Sequence, residues 1–287
     1  MRPNTHPLSP IAALAVLLMS VAALAPVLAT NAAAQRRYDE RGDTRTENRF
    51  DGRSGGGRNI AGQFDYYALV MSWSPTHCAS EAGERDDQQC NRRDGRGYAF
   101  VLHGLWPQYE RGFPESCPTR DRPFVPDRVI DGVIDIMPSR GLAIHEYRKH
   151  GTCSGLDPAG YFDLSRQLFK SIRIPDRYVA PREQQQVAPE TLVDEFVAAN
   201  PGLAPDMMAV SCGGAGNRLK EIRVCFTRTG KLRACGGNEN QRRMCSARTM
   251  YVPPVRGAAA AGAPRGGDRA TGDRGTGGRG ESRTPNR

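Results

Sequence analysis

Four side chains that carry charge or exchange protons are crowded into the segment HEYRKHGTC, residues 145–153. Two of the chain's five histidines, His145 and His150, stand there with Glu146 and Lys149. On an α-helix these four would share one broad face, because residues three to five positions apart are neighbours. Such a face can donate and accept protons near neutral pH, which favours acid–base catalysis. A solvated charged face is the alternative interpretation.

A zinc protease would also place two histidines and a glutamate on one helix. Its helix needs the spacing H-E-x-x-H, and here the second histidine comes one residue later. Lys149 occupies the position of the second ligand, where an ammonium would repel a metal ion. The chain has no paired CxxC spacing either. The sequence therefore predicts neither a metal site nor a cofactor, and a metalloprotease is the third-ranked function.

The stretch FVLHGLWPQ, residues 100–108, contains a third histidine, His103. A pattern that is typical of a buried strand ends at this residue. His103 is followed by Gly104 and, two residues later, by Trp106. An ionisable residue at a strand end beside a glycine and a tryptophan favours the rim of an active site. A core histidine packed against a core tryptophan is the alternative.

The N-terminus has the three parts of a secretory signal: a short polar lead with Arg2, an apolar run and small residues. The pattern predicts a signal peptide over residues 1–34, cleaved before Gln35, and a mature protein that is periplasmic or secreted. A membrane anchor is the alternative, because the apolar run nearly spans a bilayer. We expect no membrane contact once the signal is removed.

All eight cysteines follow the predicted cleavage site, and an even number in an exported chain favours disulfides. They are Cys78, Cys90, Cys117, Cys153, Cys212, Cys225, Cys235 and Cys245.

The net charge of +9 is mostly a property of the two ends of the chain. Residues 35–60 and 256–287 are rich in arginine and glycine and poor in apolar residues, so we expect both to be disordered. The tail could bind RNA electrostatically, or it could be a plain linker. Residues 61–255 then form one domain.

Hydrophobic periodicity divides this domain into strands and helices. Buried strands are expected at 64–74, at 97–106 and at 218–226, and the last should turn at Gly230 into a partner strand over 227–235. Helices are expected at 126–138, 160–172 and 189–199. Because strands and helices do not alternate, the fold class is α+β, with a central, mostly antiparallel sheet, packed helices and disulfides that staple a single domain.

The motifs HGLWP and HEYRKHGTC, in this order in one exported cysteine-rich domain, resemble the ribonuclease T2 family, the acid endoribonucleases of low base specificity. The stretches DYYALVMSWSPTHC and GLDPAGYF are similar to its bacterial branch, and the likeness covers roughly residues 63–252. The resemblance implies cleavage of single-stranded RNA, without metal or cofactor, through a 2′,3′-cyclic phosphate to 3′-phosphate ends. DNA is excluded because it has no 2′-hydroxyl.

Carried over residue by residue, the resemblance implies that His150 is the general base and His103 the general acid. His145 would bind the phosphate, and Lys149 and Glu146 would stabilise the transition state. Glu146 next to His150 should favour the protonated imidazole, whereas Lys149 should oppose it.

The resemblance also implies substrate contacts: Trp106 would stack a base, and Gln108 and Tyr109 would line the first base pocket. Tyr109 could equally be a surface aromatic. Tyr147 stands where most relatives have tryptophan, and we expect it to pack under the helix.

The implied disulfides are Cys78–Cys90, Cys117–Cys153, Cys212–Cys245 and Cys225–Cys235. A monomer that acts on RNA is expected, and a non-catalytic secreted RNA-binding protein on the same fold is the second function considered.

Overall fold

The computed structural model of the chain describes residues 59–95 and 97–255. The predicted signal peptide over 1–34, nearly all of the segment 35–60 and the tail 256–287 lie outside the described residues, so these predictions stay untested. Within the described ranges, no helix is long and apolar enough to cross a membrane.

Six strands of the described part of the chain form one sheet, in the order β2-β1-β5-β6-β3, with β4 paired to β5. In chain order they are β1 (Tyr66–Trp73), β2 (Phe100–Gln108), β3 (Gln185–Val187), β4 (Met208–Gly213), β5 (Arg218–Thr227) and β6 (Met250–Val252). All pairings are antiparallel except the single contact between β5 and β6. The predicted α+β class with a mostly antiparallel sheet is therefore confirmed.

The helices are short, apart from two that cover the sheet. They are α1 (Ser74–Cys78), α2 (Glu81–Glu84), α3 (Asp127–Asp131), α4 (Arg140–Glu146), α5 (Thr152–Ser154), α6 (Pro158–Ser171), α7 (Pro189–Ala199) and α8 (Gln241–Met244). A π-helical turn, Tyr147–Gly151, joins α4 to α5.

Strand β1 lies between β2 and β5, and every residue in it except Ser72 is buried. Its run of large apolar side chains, YYALVMSW, is typical of a central strand. Helix α6 packs against β1 and β2, and its buried Tyr161 anchors β2: the phenol accepts a hydrogen bond from the N–H of Leu105 at 3.2 Å and donates one to its carbonyl at 3.1 Å. These two hydrogen bonds fix the segment of β2 that carries His103 and Trp106.

The structure corrects two of the predicted elements. The helix expected over 126–138 ends at Asp131, and the chain continues in tight turns in which the N–H groups of Val133 and Ile136 bond to carbonyls three residues earlier. Of its apolar residues, Ile130, Val133 and Met137 are buried, and Val129 and Ile134 are half-buried. The expected partner strand after Gly230 is reduced to one bridge, Phe226 to Leu232, because β5 pairs with β1 and β4 instead.

Four disulfides staple the domain, and they are the pairs that the resemblance implies. The bond Cys117–Cys153 closes the loop between β2 and α3 onto helix α5. The N–H of Ser116 in the same loop also donates to the carbonyl of Lys149 at 2.7 Å. The π-helical turn is thus tied to the loop that follows β2.

Candidate active site

A β-bulge determines where His103 stands. Along the β1–β2 pair, Val70 lies opposite Gly104 but Met71 lies opposite Leu102, so that His103 is the extra residue of the bulge. Bulges bend a strand and re-aim one side chain, and they are common beside active sites. The His103 side chain stays 28% exposed, while Leu102 and Gly104 on either side are buried.

The segment HEYRKHGTC, residues 145–153, is not the single α-helix expected from its spacing. Helix α4 begins after Ser139, whose hydroxyl accepts a hydrogen bond from the N–H of Leu142, and it passes into the π-helical turn after Glu146. The helical path continues through α5 to Gly155, whose φ of 77° ends it.

The four predicted side chains of this segment, two in α4 and two in the π-helical turn, differ in burial. Glu146 and His150 are buried, whereas His145 and Lys149 are half-buried. Single π turns inside helices are rare and frequently found at functional sites. The predicted packing of Tyr147 under the helix is confirmed: its ring is buried against the aromatic rings of helix α6.

Trp106 is the residue around which these groups meet. Its indole N–H donates a 2.7 Å hydrogen bond to Oε2 of Glu146. Its ring stacks on the imidazole of His150, with centroids 4.8 Å apart, and it meets His103 edge-on at 5.3 Å. Both histidines and the glutamate are therefore brought together by one tryptophan.

The close approach of Glu146 to β2 requires a glycine at position 104. A Cβ on Gly104 would lie 2.0 Å from Oε2 of Glu146 and 2.6 Å from the indole nitrogen of Trp106. Neither atom could be displaced without breaking the bond between them. Gly104 is thus part of the site, although it contributes no functional group.

Glu146 contacts both His103 and Trp106. Its expected influence on His150 stays a prediction. Its Oε1 lies 3.5 Å from Nε2 of His103. On the other side of the same imidazole, Oε2 of Glu221 in β5 lies 3.5 Å from Nδ1. His103 is therefore held between two carboxylates.

Sequence reasoning missed Glu221 and its partner Arg223, whose guanidinium lies 4.7 Å over the ring of Trp106. Two charges at positions i and i+2 of a strand share one face, and that pattern in RLKEIRVCF could have drawn attention to them. It could not have shown that this face turns toward His103, because β1 lies between β5 and β2.

The two histidines have pKa values displaced in opposite directions. Burial lowers the pKa of His150 well below the ordinary value of 6.5, and the neighbouring charges of Lys149, His103 and His145 lower it further. Its Nδ1, like that of His103, is buried without a hydrogen-bond partner among the described residues. Protonation of His150 would leave an unpaired buried N–H, whereas Nδ1 of His103 has the carboxylate of Glu221 3.5 Å away.

For His103, burial by itself would lower the pKa, but the charges of Glu146 and Glu221 outweigh it, so that the pKa is raised above 6.5. In the same pair, burial would raise the pKa of Glu221, whereas Arg223 and His103 bring it down to about 2. The two imidazoles therefore differ in proton affinity, and His103 is the more readily protonated of the two.

The residues predicted to contact the substrate differ in accessibility. Gln108 is buried, its amide N–H bonds to the carbonyl of Pro107 and its Oε1 accepts from Asn238 at 2.9 Å. Tyr109 is half-buried beside it. The base contacts assigned to Trp106, Gln108 and Tyr109 stay predictions. For Gln108, direct contact would require the bond to Asn238 to open.

Two clusters of potential metal ligands occur among the described residues, and both lie apart from the histidines of the site. One is His77, Asp86 and Cys90, and the other is Cys225, Cys235 and Glu239. Each depends on cysteines that are closed in disulfides, and a disulfide sulfur is not the thiolate that binds metals. Neither cluster fits a resident metal ion.

Comparison with known proteins agrees with this fold. Residues 64–235 match the sequence profile of the Ribonuclease T2 family. The chain belongs to the ribonuclease T2 family.

Bacterial relatives are prominent among the matches, as the resemblance to the bacterial branch predicts. A ribonuclease of Aeromonas hydrophila is 48% identical over 41% of this chain and 50% of its own length. A probable ribonuclease of Haemophilus influenzae is 30% identical over 44% of this chain and 50% of its own length. The chain thus spans about half the length of these curated relatives.

Solved structures share the fold. An RNase-related protein from Calystegia sepium superposes with a TM-score of 0.53 at 20% identity, over 68% of this chain and 98% of that one. Trichomaglin, described as a novel S-like ribonuclease, gives a TM-score of 0.52 at 23% identity, over 67% of this chain and all of that one.

Proposed function

We propose that the chain is an endoribonuclease that cleaves single-stranded RNA with low base specificity and without a metal ion. A 2′,3′-cyclic phosphate forms first and is then hydrolysed to a 3′-phosphate. The observation that carries the proposal is the pair of imidazoles against one tryptophan, with opposite displacements of their pKa values. A separation of this kind increases the fraction of molecules in which one imidazole is neutral and the other is protonated.

In the first step, neutral His150 removes the proton of the 2′-hydroxyl, whose oxygen attacks the adjacent phosphorus. Protonated His103 donates its proton to the departing 5′-oxygen, and the P–O5′ bond breaks. Lowering the pKa of His150 keeps it able to accept a proton, and raising that of His103 keeps it able to donate one.

In the second step the roles reverse. His103, now neutral, takes a proton from water, which attacks the cyclic phosphate. His150, now protonated, returns its proton to the 2′-oxygen as the ring opens. Both histidines end in their starting states, so the cycle needs no further proton donor.

Negative charge grows on the phosphate oxygens during each step, and fixed positive groups stabilise it. We assign this role to Lys149, with His145 binding the phosphate. The influence of both on the pKa of His150 supports positions near the reacting atoms. Glu146 contributes to transition-state stabilisation through its contacts with Trp106 and His103. Trp106 and Tyr109 are proposed to bind a base of the substrate.

The proposed setting is the periplasm or the exterior of the cell. Four disulfides in the described part of the chain support an oxidising compartment. We propose a monomer whose substrate is RNA, with DNA inert because its sugar cannot supply the nucleophile. The residues 1–34 are proposed to be the signal for export.

The termini of the products test this function. Purified protein incubated with polyuridylate should release oligonucleotides that end in a 2′,3′-cyclic phosphate and later in a 3′-phosphate, as measured by mass spectrometry. EDTA should leave the rate unchanged, because imidazoles rather than a metal ion move the protons. Polydeoxyuridylate is the matched control and should stay intact. RNA binding without cleavage would instead support the non-catalytic alternative, and 5′-phosphate ends would contradict the mechanism.

The pH profile of cleavage should have an acid limb and an alkaline limb whose apparent pKa values lie on opposite sides of the ordinary histidine value. Activity rises as His150 loses its proton, below the ordinary histidine value of about 6.5, and falls as His103 loses its proton above that value. We therefore expect kcat/KM for a dinucleoside monophosphate to form a broad plateau around this value. A narrow peak with both limbs on the same side of it would contradict the assignment.

A further inference from the structure

The imidazole of His103 has a second carboxylate partner on a strand that is distant in sequence. Glu221 in β5 lies across the central strand β1 from β2, opposite Ser72 of β1. From there its Oε2 reaches to 3.5 Å from Nδ1 of His103, on the side of the ring away from the contact between Nε2 and Glu146. The side chain of Glu221 is only 14% exposed.

Arg223 holds Glu221 by one oxygen only. The guanidinium donates from Nε at 2.9 Å and from Nη2 at 2.8 Å, and both bonds go to Oε1 of Glu221. Oε2 is thereby left to face His103. A guanidinium that grips a carboxylate with two donors fixes its orientation as well as its charge.

Arg223 is itself anchored in the interior. Its Nη1 lies 3.5 Å from Oε1 of Glu239, whose side chain is fully buried. The other oxygen of Glu239 accepts a hydrogen bond from the phenol of Tyr66 in the central strand. A continuous chain of buried and half-buried polar groups therefore runs from the first residue of β1 to the imidazole of His103.

We propose that Glu221 is a positioning residue for the general acid: held by Arg223, it favours the proton on Nδ1 of His103 and fixes the ring, so that Nε2, the nitrogen beside Glu146, is the one that donates to the leaving oxygen. The proposal deepens the function proposed above and rests on it. A carboxylate behind a catalytic imidazole selects the tautomer and stabilises the imidazolium. Glu221 thus prepares His103 without touching the substrate.

The charges around His103 decide what the loss of Glu221 would do. Glu146 and Glu221 favour the imidazolium form of His103. Arg223 in β5 opposes it, and so does His150 in the π-helical turn when it is protonated. The pKa of Glu221 is about 2, so it stays charged wherever the enzyme works. Removing its charge takes away one of two attractions and leaves Arg223 less neutralised, so both changes act in one direction.

Direct titration of His103 tests the proposal in the full chain. In Glu221→Gln, the pKa of His103, followed by NMR on protein with labelled histidines, should fall by about one unit or more. The ¹⁵N shifts should show a smaller fraction of the Nδ1–H tautomer above that pKa. The alkaline limb of the kcat/KM profile should move to lower pH by the same amount, so the loss of activity grows as pH rises.

Glu195→Gln is the matched control. Glu195 in α7 also accepts bonds from an arginine and a tyrosine, Arg177 and Tyr178, but it has no contact with the site. Its loss should leave both the titration of His103 and the alkaline limb unchanged. Should Glu221→Gln fail to fold, Glu221→Asp retains the charge but withdraws it from the ring, and it should give a smaller shift of the same sign.

The outcomes separate this proposal from the proposed function. A folded Glu221→Gln protein with an unchanged His103 pKa and tautomer overturns the positioning role, whatever the activity. If the wild type cleaves no RNA but the pKa still falls in Glu221→Gln, the contact between Glu221 and His103 stands and the proposed function fails. A uniform loss of activity at every pH would reduce Glu221 to a structural residue and overturn the proposal.

Discussion

The variants His150→Ala and His103→Ala should each show a kcat for RNA cleavage that is about 10²- to 10⁴-fold lower, the range that acid–base groups contribute. The reason is that the two imidazoles move different protons in the same step, so neither can substitute for the other. The two losses should not add in the double variant, because one missing partner already disables the concerted transfer. Single-turnover cleavage of a dinucleoside monophosphate measures the effect.

His77→Ala is the matched control for both variants. His77 pairs with Asp86 at 3.3 Å, outside the candidate site. Its loss should leave kcat within about twofold, as for other substitutions remote from the chemistry. Thermal unfolding must show that all variants are folded, since His150 is buried against Trp106. A folded His103 or His150 variant with wild-type turnover would refute the catalytic assignment.

Gly104→Ala should have the second large effect, although it adds only a methyl group. The new Cβ would lie 2.0 Å from Glu146 and 2.6 Å from the indole nitrogen of Trp106, so the hydrogen bond between them must break. Misplacement of a catalytic group by about 1 Å can cost about 10²-fold in rate. Overpacking should lower the free energy of unfolding by about 1–3 kcal/mol. Cleavage kinetics and denaturant unfolding measure the two losses.

Gly213→Ala in β4 provides the control for an added methyl group in this sheet. Its Cβ would meet only the end of the Lys220 side chain, at 3.1 Å, which can move away. We expect near-wild-type activity and stability for this variant. If Gly104→Ala behaved in the same way, the close approach of Glu146 to β2 would have no catalytic importance.

Much of the fold follows from local sequence, because period and residue type determine which face of an element is buried. Strands β1 and β2 and helices α6 and α7 form where their apolar spacing predicts. The prediction failed for two elements. The helix after Pro126 stops at Asp131 and gives way to tight turns, and the strand after Gly230 does not form because β5 is already paired on both sides.

The candidate site divides in the same way. The motifs HGLWP and HEYRKHGTC by themselves identified the family. They also predicted the candidate residues His103, His145, Glu146, Lys149 and His150, since these lie in two short segments whose order and types are read directly. Only the tertiary structure decided that Glu146 lies against His103 and Trp106, and that Gly104 must be a glycine. It alone brought Glu221 and Arg223 to the site. The physical reason is that pKa values and orientations depend on charge, burial and contacts across β1, and strand pairing between distant segments creates these.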